Sequence, residues 1–110
     1  MAINYKNYLT NNIGTTATTV YNPTAAGLQS TVIGLTLSNN TNTNITANVT
    51  LTSTSVGVTA NVIRNAIIYA GTSLNVIDSG KVIIEQNDVI QVNCSVASGA
   101  DVIVSTVEVT

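Results

Sequence analysis

Histidine, tryptophan and phenylalanine are missing from this chain, and cysteine and proline occur once each. Without histidine there is no side chain whose ordinary pKa lies near neutrality, and the commonest metal ligand is gone. A Ser-His-Asp triad is excluded for the same reason. The single cysteine, Cys94, cannot form an intrachain disulfide. It shares a period-two register with Ile90, Val92 and Val96, which predicts a small buried hydrophobe rather than a reactive thiol, and no cationic neighbour stands near it in sequence. Charge is scarce as well: 7% of residues are charged, against a usual value of about 25%. Lys6, Arg64 and Lys81 are scattered and the net charge is −2, so counterion release cannot drive nucleic-acid binding and no nucleic-acid partner is expected. Apolar runs are only a few residues long, far short of a membrane span, and no membrane partner is expected. The opening Met1-Ala2-Ile3-Asn4 has neither a charged nor an apolar signal region, which predicts synthesis in the cytoplasm without a signal peptide.

What is present is β grammar. Polarity comes from Thr, Asn and Ser, residues that suit exposed sheet faces and turns. A surface so poor in charge is explained either by coverage from neighbouring copies or by a stable secreted-type exterior. From Val62 to Val109 short apolar stretches recur, separated by Ala70-Gly71-Thr72-Ser73, Asp78-Ser79-Gly80, Gln86-Asn87-Asp88 and Ser98-Gly99-Ala100-Asp101. Upstream, Thr15 to Tyr21 reads as a strand closed by Asn22-Pro23-Thr24. Leu28 to Ser38 follows, with Ile33, Leu35 and Leu37 as its best face. Ile45, Ala47, Val49 and Leu51 alternate with Asn44, Thr46, Asn48 and Thr50, the cleanest half-buried strand in the chain, with an outward ladder of Asn and Thr. A weaker strand over Val56 to Ile63, broken by Gly57, and another over Ala66 to Tyr69 come next. The last strand, Val102 to Val109, carries apolar residues on both faces, as a central or partner-covered strand does.

The pattern predicts an all-β fold, an antiparallel β-sandwich or jelly-roll-like barrel of about eight short strands. Length places residues 15–110 in a single sandwich domain. Residues 1–14 alternate little and read as an extended N-terminal arm, in which Tyr5 and Tyr8, half of the aromatics, would dock on a neighbouring subunit.

Candidate chemistry is thin. Asp78, Asp88 and Asp101 fall in predicted turns, where Asp accepts backbone hydrogen bonds. Glu85 and Asp88 flank one turn, but a solvated turn explains them better than an acid/base pair does, and the run Glu85, Asn87, Asp88 lacks the oxygen density of a calcium loop. A sugar-binding site would have to be built on Tyr21 or Tyr69. No catalytic, cofactor or metal site is expected, and the chain reads as a non-enzyme.

The segment Ile67-Ile68-Tyr69-Ala70-Gly71-Thr72-Ser73-Leu74-Asn75-Val76-Ile77, followed by Lys81-Val82-Ile83-Ile84-Glu85-Gln86-Asn87-Asp88-Val89-Ile90-Gln91-Val92, resembles small β-rich virion structural proteins of tailed bacteriophages, notably those of cyanophages. So do the turn Ser98-Gly99-Ala100-Asp101-Val102 and the opening Thr19-Val20-Tyr21, Pro23, Thr31-Val32-Ile33-Gly34-Leu35. Asn87 departs from the pattern, in which Gly tends to precede the Asp, yet Asn tolerates the same left-handed geometry. The resemblance implies a subunit of a phage particle, present in symmetric copies. A capsid decoration or cement subunit is the first expectation, working as a homotrimer or other symmetric oligomer on the major capsid protein, by area and avidity. A neck, tail or fibre component is the alternative within that class. A receptor- or glycan-binding module and a pilin-like filament subunit are the alternatives outside it. The expected subunit contacts are Tyr5 and Tyr8 of the arm and Asn44, Thr46, Asn48 and Thr50 of the polar strand face, with strand addition at an edge supplying the rest.

Overall fold

The computed structural model describes residues 2–77 and 81–110. The turn expected at Asp78-Ser79-Gly80 lies outside the described residues. Nine strands run in the order β1 (Ile3–Ile13), β2 (Thr18–Tyr21), β3 (Gln29–Asn39), β4 (Ile45–Ser53), β5 (Val58–Ile68), β6 (Ser73–Ile77), β7 (Val82–Ile84), β8 (Val89–Cys94) and β9 (Ala100–Val109). β-Branched residues stiff at χ1 and a period of two leave helix no foothold in these segments.

All the strand pairings are antiparallel. One sheet has the order β1-β9-β3-β6, with β7 pairing β3 beyond the end of β6; the other has the order β2-β8-β4-β5. The orders 1-9-3-6 and 2-8-4-5 are those of a jelly roll, in which the chain crosses between two facing sheets. β9 is a central strand, flanked by β1 and β3. That explains why both its faces are rich in Val and Ile.

Two expectations change. Residues 3–13 are extended, but they are not a detached arm: β1 pairs along its length with β9 of the same chain, from Ile3 opposite Val109 to Ile13 opposite Ala100. The strands expected over Val56 to Ile63 and Ala66 to Tyr69 are one strand, β5. Gly57 stands before it, in the turn from β4, at φ 78°. Within β5 Asn65 takes φ 52°, a left-handed residue that Asn tolerates, so the chain passes this point as a bulge without ending the strand.

The core lies between the sheets. Val32, Leu35 and Leu37 of β3 meet Val102 and Val104 of β9 on one side, and Ala47, Val49, Ile90, Val92 and Cys94 come from the other. Burying each Val, Leu or Ile contributes about 1.5–3 kcal/mol relative to leaving it exposed. Ile33 was expected on the face of Leu35 and Leu37. The register against β9 slips between Val32 and Gly34, and this bulge reverses the parity, so Val32 points inward and Ile33 is 36% exposed. Cys94 lies on the apolar face as expected, its thiol 3.2 Å from the carbonyl of Ile13 and 3.1 Å from that of Val96.

The acids expected in turns fare differently: Asp101 lies within β9, and Asp88, expected in a solvated turn, is buried because its carboxylate is taken up by backbone amides. Asn87 adopts φ 70°. The Asp88 carboxylate accepts the amides of Glu85 at 3.0 Å and Thr54 at 3.1 Å, tying the β7–β8 turn to the chain leaving β4. Asp101 accepts the amide of Asn12 at 3.0 Å, where β1 kinks with Asn12 at φ 56°.

Candidate functional site and subunit-contact surfaces

Because residues 3–13 form a strand, Tyr5 and Tyr8, an odd number of positions apart, face opposite ways. Tyr5 is opposite Val107 on the outer side of its sheet and is 78% exposed. Tyr8, opposite Val104, turns toward the interior and rests on Tyr21 of β2, ring centroids 4.8 Å apart and tilted by 48°.

Beneath that pair sits Glu108. The inward parity of Val102, Val104 and Thr106 carries it into the sandwich, where it is 5% exposed. Its Oε2 accepts the hydroxyls of Tyr8 at 2.5 Å, Tyr21 at 2.7 Å and Thr106 at 3.4 Å. The oxygen of Tyr21 also contacts the Ser30 hydroxyl at 2.5 Å. Since the Tyr21 proton goes to the carboxylate, Ser30 is the donor there. Lys6 Nζ stands 4.0 Å from Oε1, with its own side chain half in solvent. Burial by itself pushes the Glu108 carboxyl up, but the hydrogen bonds from Tyr8 and Tyr21, the Lys6 charge and the Thr106 hydroxyl together hold it below its ordinary value. Burial first, and the hydrogen bond and charge of Glu108 after it, push the Tyr8 phenol up to about 12. Burial also raises Tyr21 strongly, with Ser30 opposing and Glu108 reinforcing. The phenols therefore stay protonated as donors and the carboxylate stays ionised as acceptor. The cluster joins β1, β2, β3 and β9 across both sheets, at the foot of a cleft of about 440 Å³ walled by Pro23 and Leu28. The sequence carries one signal for the place of Glu108 on this face of β9, its parity with Val102 and Val104.

The four residues of the polar strand divide by role. Asn48 Oδ1 accepts the amide of Asn65 at 2.8 Å, supporting the left-handed residue in β5. Asn44 Oδ1 accepts the amide of Ala70 at 3.0 Å, just past the end of β5. The Thr46 amide donates to Ser95 Oγ at 3.1 Å, and Thr50 is opposite Gln91. The expected Asn/Thr ladder does face outward, continued by Asn93 and Gln91 of β8, and Asn48 and Thr50 line a shallow depression of about 370 Å³ together with Arg64 of β5. The six expected contact residues thus occupy three places: an outer face for Tyr5, the interior for Tyr8, and the opposite outer face for the other four.

The remaining candidates resolve simply. Asp88 bonds the Glu85 amide rather than the Glu85 carboxylate, and among the described residues no three acids or cysteines come together as a metal site. Of the two tyrosines considered for sugar stacking, Tyr21 is buried and Tyr69 is exposed.

Backbone edges complete the inventory. β1 ends one sheet and β5 ends the other, and each is eleven residues long. β1 borders β2 and β5 borders β6, so the two long edges lie on opposite flanks of the sandwich.

No family model matches the chain. No curated protein matches it either. Among solved structures, a chain from Bacillus endospore appendages, described as a novel family of disulfide-linked pili, aligns with a TM-score of 0.59 at 15% identity, over 98% of this chain and 88% of its own length. At that identity the likeness is one of fold.

Proposed function

We propose that this chain is a non-enzymatic structural subunit that acts in many symmetric copies, joined through its long edge strands. The observation that carries the reading is the placement of β1 and β5: two eleven-residue edges, one per sheet, on opposite flanks. An unpaired edge is a row of backbone donors and acceptors that other proteins blunt with proline, charge, bulges or short strands. Neither β1 nor β5 contains proline, each carries a single charged residue, Lys6 or Arg64, and their irregularities are confined to the stretches around Asn12 and Asn61–Asn65. Pairing β1 of one copy with β5 of the next is a head-to-tail contact, which closes into a ring or runs on as a filament depending on the rotation between copies. Backbone pairing supplies the affinity, and multiplicity supplies the strength.

The setting follows from the sequence resemblance: a virion structural protein, most simply a capsid decoration ring seated on the major capsid protein, with a neck, tail or fibre position in the same class. A filament subunit is the second reading. It is favoured by the fold likeness to a pilus-forming appendage chain over 98% of this one.

Hydrogen exchange at low and high protein concentration tests the joint. In an antiparallel edge strand alternate amides point away from the sheet and exchange freely. The expected result is that these amides in residues 3–13 and 58–68 become protected on assembly. An assembled protein in which both edges exchange as they do when dilute contradicts the proposal.

A further inference from the structure

The outer side of the five-stranded sheet bears two apolar bands separated by a polar row, Asn7–Ser105. The cross-strand pairs Ile3–Val109 and Tyr5–Val107 form one band, and Leu9–Ile103 stands beyond the polar row. β7 extends the Tyr5–Val107 row, since Thr31 lies opposite both Val107 and Ile83. Ile3, Tyr5, Leu9, Ile83 and Ile103 are all exposed. The bulge in β3 adds Ile33, which a regular strand would have turned inward.

We propose that this face packs against the same face of a second copy, related by a twofold axis. Three observations favour that occupant. First, across the outward rows of β1, β9 and β3 the only ionisable group besides the Tyr5 phenol is Asp101, at one end; Lys6 and Glu108 have the opposite parity, and Lys81 and Glu85, one of each sign, are exposed on either side of β7. A face with so little charge, and of mixed sign, meets its own copy without a like-charge field to oppose it. Second, four strands about 4.8 Å apart and some ten residues long at about 3.3 Å per residue span roughly 600–700 Å². A standard interface takes about 800 Å² from each partner, so one such face nearly supplies a stable dimer. Third, the rows end in Val, Ile, Leu and Tyr interleaved with Ser, Thr and Asn, the small and large alternation that lets two sheets interdigitate at about 10 Å. A twofold face of this kind doubles whatever the edges build: a ring becomes a two-tiered ring, a filament a paired one. The proposal therefore rests on the structural-subunit reading while using a different surface from the edge joint.

The test compares the native protein with Leu9→Lys/Ile103→Lys and with the milder Leu9→Asn/Ile103→Thr, by light-scattering mass over a concentration series. Circular dichroism and thermal melting check that each variant folds. These side chains point to solvent in the single chain, so folding is expected to survive. The expected result is an even copy number for the native protein, half that mass for the lysine variant, and at least a tenfold weaker pairing for the neutral one, with edge amides still protected in both. An unchanged mass in both folded variants overturns the face and leaves the edge joint standing. A twofold dimer without edge protection overturns the edge joint and leaves the face. A native protein that stays monomeric throughout overturns both. Binding of the native protein, but not of the lysine variant, to phosphatidylcholine vesicles would make lipid the occupant and overturn the second-copy assignment.

Discussion

Glu108 is the residue on which most of the chain's buried polarity converges. Hydrogen bonds to a charged group contribute about 1.5–3 kcal/mol each to stability, and a buried acceptor left mismatched costs about as much. Glu108→Gln removes the charge and brings an amide donor toward two phenol donors. It is expected to lower unfolding stability near neutral pH by about 2 kcal/mol, read from urea denaturation. The same carboxylate sets an acid limit. Its folded pKa lies below the ordinary 4.5, so its contribution is complete above that value and is lost as pH falls through the folded pKa. The native protein should therefore weaken below about pH 4.5, and Glu108→Gln should show a shallower decline over that range. Equal slopes would mean that other acids carry the dependence. Gly99 makes the second residue-scale case. A Cβ there would stand 2.5 Å from Val96 Cγ2 and 3.0 Å from Cys94 Sγ, so Gly99→Ala should destabilise by about 1–3 kcal/mol through crowding, although Gly99 does not take the left-handed φ that alanine resists.

At the scale of elements, β4 and β5 show how side chains support irregular backbone. Asn48→Ala deletes the acceptor for the Asn65 amide and should cost about 1 kcal/mol, whereas Thr50→Ala, two residues along the same outer face, should cost less than half of that. Chemical denaturation of the two variants separates a buttress from a surface residue. β4 was fully legible in the sequence, because Ile45, Ala47, Val49 and Leu51 keep strict alternation and its outward Asn/Thr ladder follows. β3 was legible only beyond its bulge, at Leu35 and Leu37: one extra residue at Ile33 reverses the parity before it, and nothing in Val32-Ile33-Gly34 besides the glycine marks the slip. β1 was hidden because its inward side carries Asn4 and Lys6 before Tyr8, so no apolar period announces a strand. Its place depends on β9, about a hundred positions away. The Tyr8–Glu108 contact, with |i−j| of 100, was out of reach for the same reason. Local pattern reports which face a residue takes, but not which distant strand will lie beside it.

At the scale of the molecule, the scarcity of charge and the two open edges belong to one account. A net charge of −2, outer faces with little charge and eleven-residue edges on opposite flanks are the features that the proposed assembly of copies would use. Contacts made of backbone hydrogen bonds and apolar sheet surface are barely screened by salt. The assembly should therefore persist at about 1 M sodium chloride, where the Debye length is about 3 Å and charge-mediated contacts fail. The most direct measurement of the central claim is the mass of the purified chain by size-exclusion chromatography with light scattering over a wide concentration range. The account predicts a discrete closed oligomer, or a growing polymer, that exceeds the 11.4 kDa of one chain and withstands salt. A mass that stays at one chain across the whole range would contradict it.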